Sequence, residues 1–297
     1  MAFSVSLPLR NSSELEARIA KGEILSRAAL EAYIPTKEDY AKVRQWLVAQ
    51  GLNVSIDADT RHSVVVHGSV ATVSSAVKVK MARVSTPDGE FTSAVTTPEL
   101  PDDIAVAVKS IKGLQPHLSR RVPRQSSSQQ RVQINGNNYV TPAEVAAYYH
   151  ADPTLTGTGQ TIAIIADESP NQNDVTAFWN LCGITKQWDS DIQVIQVGSY
   201  DYKALRIADA IVGIQGDKRE VTLDVEWASG IAPGAKFRIY EALPGMQFSS
   251  EEASYIAILN DLPANPSIRQ VTESYGNLEP ASVSLFARCD SLMSITG

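Results

Sequence analysis

Arg219-Glu220-Val221-Thr222-Leu223-Asp224-Val225-Glu226-Trp227-Ala228-Ser229-Gly230-Ile231-Ala232-Pro233-Gly234-Ala235, continuing as Lys236-Phe237-Arg238-Ile239-Tyr240-Glu241-Ala242, is the stretch from which the fold is read. Val221, Leu223, Val225, Trp227 and Ala228 fit a buried helix, Gly230 and Pro233 stop it, and Phe237, Ile239 and Ala242 follow as a core strand. Glu220 and Asp224 are four residues apart, so on a helix they share one face. In a closed site two such carboxylates repel, the pKa of one rises, and the pair holds a single proton, which is an acid–base device. The same spacing also occurs on solvated helix faces, where it carries no chemistry.

Working outward, the strand-like runs Thr161–Ala166, Ile192–Val197 and Ile268–Tyr275 alternate with helical patterns over Asn173–Leu181, Glu220–Ser229 and Ser249–Leu262, the last capped by Ser249-Ser250-Glu251-Glu252. A final helix is expected over Val283–Met293. This alternation predicts a parallel α/β sheet. Gly157-Thr158-Gly159 precedes its first strand and no Gly-Lys-Ser/Thr follows, so it reads as a turn rather than a phosphate loop.

Upstream, residues 3–9 alternate apolar and polar as a strand does. A short helix follows Asn11-Ser12-Ser13, and a longer one opens at Pro35 with Tyr40, Val43, Trp46, Leu47 and Ala49 on its buried face. Strands over Asn53–Ile56 and His62–His67, a helix after Gly68-Ser69, a hairpin turning at Pro87-Asp88-Gly89 and a helix from Pro101 to near Gly113 complete the segment. The order is that of a ferredoxin-like α+β domain. Residues 119–134 are polar and basic and read as a linker exposed to proteolysis, giving units 1–118 and 135–297.

The motif Glu220-x-x-Leu223-Asp224-x-Glu226, then Ile231-Ala232-Pro233-x-Ala235 and a strand, resembles the active-site helix of the sedolisins, the serine-carboxyl peptidases. The resemblance implies that Glu220 is the general base for a serine and that Asp224 orients it. Pro35-Thr36-Lys37-Glu38-Asp39-Tyr40, Trp46-Leu47 with Gly51-Leu52, Gly68-Ser69-Val70-Ala71 and Leu100-Pro101-Asp102-Asp103-Ile104 are similar, in order, to the propeptide of that family. Ser274-Tyr275-Gly276, with Glu279 after it, resembles the family's cleft-lining segment, whose backbone pairs with an extended peptide. The implied fold is an incomplete subtilisin-like parallel sheet preceded by a ferredoxin-like prodomain, and the implied partners are a peptide or protein substrate and the chain's own propeptide. Asp167 sits where classical subtilisins carry their aspartate, but no Gly-Thr-His follows, which disfavours a Ser-His-Asp enzyme.

The family's oxyanion Gly-Asp-x-Gly and nucleophilic Gly-Thr-Ser are expected beyond Gly297, as is its calcium site, so no cofactor or metal is assigned to these residues. A base without its serine does not run acyl transfer. Two readings follow: a peptidase precursor supplied without its C-terminal part, and a non-catalytic inhibitor or folding partner of a complete peptidase. The four histidines form no ligand cluster, and Cys182 and Cys289 read as core thiols. Residues 1–134 carry 17 Lys and Arg against 13 Asp and Glu, and residues 135–297 carry 9 against 20, so the halves attract each other. Nothing is basic and aromatic enough to suggest nucleic acid, no stretch is apolar enough for a membrane span, and no export signal is visible although the resemblance implies secretion.

Overall fold

The computed structural model describes residues 1–86, 89–118, 133–134, 137–138, 140–198, 218–242 and 247–274. The 119–132 segment, Pro87-Asp88, Tyr275, Gly276, Glu279, the expected helix 283–293 and Cys289 lie outside the described residues.

The first unit begins with β1 (Ala2–Ser6), followed by α1 (Ser12–Ala20), α2 (Arg27–Leu30), α3 (Lys37–Ala49), β2 (Asn53–Asp57), β3 (Ser63–His67) and α4 (Val70–Ala76). The hairpin β4 (Met81–Thr86) and β5 (Gly89–Ala94), the short α5 (Asp102–Ala105) and β6 (Ser110–Lys112) complete it. The sheet order is β2-β3-β1-β6 and every neighbouring pair is antiparallel. Thr36 and Ser69 cap α3 and α4 through their side chains, as their positions suggest. Phe3, Val5 and Leu7 of the first strand region meet Val43, Leu47, Val64, Val66, Val73 and Ile104 in one core.

Two readings of this unit are corrected, and a third feature is non-local. The helix expected from Pro101 to Gly113 ends after four residues, and its remainder supplies β6, which pairs Val5 with Ile111 and forms one edge of the sheet. Ala49 is exposed, because the buried stripe of α3 is set by Val43 and Leu47. The polar positions of the alternating first strand, Ser4 and Ser6, do not face water: all five residues of β1 are buried, because a helix of the second unit covers that face.

A two-residue hairpin, β7 (Gln133–Ile134) and β8 (Asn137–Asn138), and α6 (Pro142–Tyr148) lead into the second unit. There β9 (Thr161–Ala166), α7 (Gln172–Cys182), α8 (Trp188–Asp191), β10 (Ile192–Gln196), α9 (Lys218–Ile231), β11 (Lys236–Glu241), α10 (Gln247–Asp261) and β12 (Ile268–Glu273) follow in order. The four strands form a parallel sheet, β10-β11-β9-β12, as the alternation of elements predicts. On one face α7 and α9 pack Val175, Trp179, Val221 and Val225 against Ile164, Phe237 and Ile239. On the other face Ala253 and Ile258 of α10 share a core with Ala163, Ile165 and Tyr240.

The buried stripe of α9 is Val221, Thr222, Val225 and Ser229, a helical period that leaves Leu223 exposed against expectation. Its two polar members are satisfied: Thr222 Oγ1 accepts from the Asn171 N–H at 2.9 Å, and Ser229 Oγ accepts from Trp179 Nε1 at 2.7 Å. Nor does Gly230 stop the helix, which runs through it to Ile231. A Cβ at Gly230 would overlap the Pro142 ring of α6, so glycine is required there by close approach rather than by backbone conformation.

Helix propensity alone favours Gly230→Ala by about 1 kcal/mol. Overpacking a tight contact costs typically about 1–3 kcal/mol, so we expect a net loss of stability, read as a lower urea midpoint. A midpoint equal to or above the parent's would show that the α6–α9 contact yields at no cost.

Candidate active site

The parallel sheet places the ends of its strands along one edge. Glu241, the last residue of β11, is the register partner of Ala166, after which comes Asp167, and Glu273 and Ser274 lie at the end of β12 on the other side of β9. The chain passes from one side of β9 to the other between β11 and β12, the place where α/β sheets open a crevice. Asp167 is almost wholly buried, and so is Glu241, whose Oε2 accepts from Ser169 Oγ at 2.5 Å. Lys218 Nζ lies 3.7 Å from Glu168 Oε2 and Tyr255 donates to Glu273 Oε2 at 2.9 Å.

Helix α9 brings its first two turns to this edge, held by the Thr222–Asn171 bond that ties it to the loop carrying Asp167, Glu168 and Ser169. Glu220 and Asp224 are both half-buried, one turn apart on α9. Ser274 Oγ donates to Asp224 Oδ1 at 2.7 Å. The carboxylate helix and the strand end are thus joined by one direct hydrogen bond, although they are distant in sequence.

Burial raises the Asp224 pKa above the ordinary aspartate value, and the Ser274 hydrogen bond partly opposes the rise by favouring the charged form. Glu226 belongs to another side of the helix. Burial first, then the charge of Asp174 on α7, pushes it up to about 7, and burial likewise raises the nearby Cys182 thiol. Cys182 is half-buried at the end of α7 rather than a core thiol.

Sequence reading singled out Glu220, Asp224 and Ser274, and the structure sets all three at this edge. It passed over Glu168, Ser169 and Glu241. The available signal was positional, since each ends or immediately follows a strand of a parallel sheet. Among the described residues, no three His, Cys, Asp or Glu gather as a metal ligand set. No helix among them is long and apolar enough to cross a membrane.

Residues 1–117 match the family described as pro-kumamolisin, activation domain. The chain is also 27% identical over 308 aligned residues to kumamolisin of Bacillus sp. (strain MN-32), an alignment that covers 97% of this chain and 53% of that protein. It resembles a kumamolisin precursor throughout. The chain spans about half the length of kumamolisin, and the similarity runs through both sheets, so the helix bearing Glu220 and Asp224 lies within the kumamolisin-like region.

Because Asp224 has a higher pKa folded than unfolded, the folded state holds its proton more tightly. The resulting penalty is absent below the unfolded pKa and fully present above the folded one. Asn cannot ionise and still accepts from Ser274, so Asp224→Asn is expected to raise the urea midpoint at pH 7 and to leave it nearly unchanged at pH 3. Equal gains at both pH values, or a loss at pH 7, would contradict the burial account.

Proposed function

We propose that this chain is the propeptide and N-terminal part of the catalytic domain of a sedolisin-type serine-carboxyl endopeptidase that hydrolyses peptide bonds in acid. Glu220 is the general base, taking the proton of a serine hydroxyl as its oxygen adds to the scissile carbonyl and returning it to the leaving amine. Asp224 orients Glu220, and the chemistry assigned to the two needs no cofactor. Ser274, Tyr275 and Gly276 line the cleft, where backbone groups pair with an extended substrate. The Ser274–Asp224 hydrogen bond carries this reading, because it joins the two segments that resemble the family's active site.

The strand and helix order of the first unit, with its wholly antiparallel sheet, supports a ferredoxin-like prodomain. The parallel sheet with carboxylates at its strand ends supports a subtilisin-like catalytic unit, and the kinship supports secretion. A second reading, an inhibitor or folding partner of a complete peptidase, is favoured by the way the first unit's sheet covers α10.

The 297 residues contain no Gly-Thr-Ser, so polypeptide 1–297 alone is expected to leave peptide substrates uncut from pH about 3 to 8, a window bracketing carboxylate titration. Turnover that disappears with Glu220→Ala would overturn this, since a serine within 1–297 would then be the nucleophile. A longer polypeptide continuing in frame into Gly-Asp-x-Gly and Gly-Thr-Ser is expected to cleave in acid and to lose at least about a hundredfold in rate with Glu220→Ala. Inhibition of such an active form by added 1–297, with no longer product from the gene, would favour the second reading.

A further inference from the structure

Helix α10 is covered on both sides, and the side facing the first unit follows a four-residue stripe: Glu252, Ile256, Asn260. Glu252 is fully buried, and the hydroxyls of Ser6 (3.1 Å) and Ser63 both donate to its Oε1. Ser6 and Ser63 are themselves fully buried and directly opposite each other on β1 and β3. Two turns on, about 12 Å along the axis, Asn260 Nδ2 donates to the Asp57 carbonyl and its Oδ1 accepts from the Asp59 N–H, both at 2.9 Å. Between these anchors Ile256 packs with Ala58 and Val65, and Leu259 with Leu15, Leu25, Leu30, Tyr33 and Ile34.

A buried carboxyl group held by neutral hydroxyls adds little affinity over apolar side chains filling the same space, so its contribution lies in discrimination. The sheet periodicity supplies it. A slip of one residue along β1 and β3 would put Val5 and Val64 where Ser6 and Ser63 now stand, leaving Glu252 buried without a donor.

We propose that Glu252 and Asn260 form a two-point recognition element for the 1–118 unit, selecting an antiparallel sheet that offers paired serine hydroxyls beside an open backbone turn. The unit remains bound through it once the chain is cut between residues 118 and 133. This deepens the reading of residues 1–118 as an activation domain, but its test needs no peptidase activity, so the two fail separately.

The test uses the intact chain 1–297 with a specific protease site placed between residues 124 and 125, cut after folding, and measures the dissociation constant of the two fragments by dilution. Parent fragments are expected to stay associated at micromolar concentration. Glu252→Ala and Ser63→Ala each raise the constant about ten- to a hundredfold, the range for leaving a buried polar group without its partner. The double variant loses no more than the worse single, as for partners in one contact. Glu252→Leu, which keeps side-chain bulk, weakens association, and adding Ser6→Ala and Ser63→Ala to it restores binding. Parent fragments that separate, an unchanged constant in Glu252→Ala, additive losses, or no restoration in the triple variant would each overturn the proposal.

Discussion

The structure is arranged around a helix, α10, whose described side chains, 252–261, are all buried or half-buried. The α10 helix lies between the parallel sheet, against Ala163, Ile165 and Tyr240, and the antiparallel sheet, against Val65 and the buried serines of β1 and β3. Its end is held by Tyr240, which donates to Asp261 Oδ2 at 2.6 Å, and by Arg238, which pairs with the same oxygen at 2.5 Å. A helix enclosed this way must have its polar groups satisfied by its neighbours. Ser6 and Ser63 meet that demand at Glu252 Oε1 and the Asp57–Asp59 turn meets it at Asn260, whereas Glu252 Oε2 and Ser254 Oγ are buried with no partner among the described residues.

On the opposite face of the parallel sheet, α9 has a different task. Its buried stripe includes Thr222 and Ser229, and the partners of these two residues fix the helix to the β9–α7 loop and to Trp179. Gly230 lets Pro142 approach closely at the far end. With the helix fixed at three points, Asp224 is presented to Ser274 at hydrogen-bond distance, in surroundings dry enough to raise its pKa.

Much of this was legible from residues alone. The unbroken Thr161–Ala166 run announced a strand covered on both faces, and the spacing of Glu220 and Asp224 announced a shared face. What stayed hidden was non-local. Glu252 looks like the end of a capping box after Ser249, but α10 starts earlier, at Gln247, and the carboxylate belongs to an interface with residues far upstream. The burial of Ser4 and Ser6 on an alternating strand has the same non-local origin. Leu223 was counted with the core because its type is apolar, whereas its place on the 3.6-residue period turns it outward. Gly230 looked like a stop because nothing local reveals that Pro142 lies against it.

If one helix joins the two sheets, they should not open independently. Native-state hydrogen exchange in increasing urea tests this directly, by following the amides of β3 in the first unit, β9 in the second and α10 between them. The account predicts that the three sets merge into a single unfolding isotherm with a common free energy and slope. Separate isotherms for β3 and β9, with α10 following only β9, would show that the antiparallel sheet rests on α10 without depending on it, and would contradict the account.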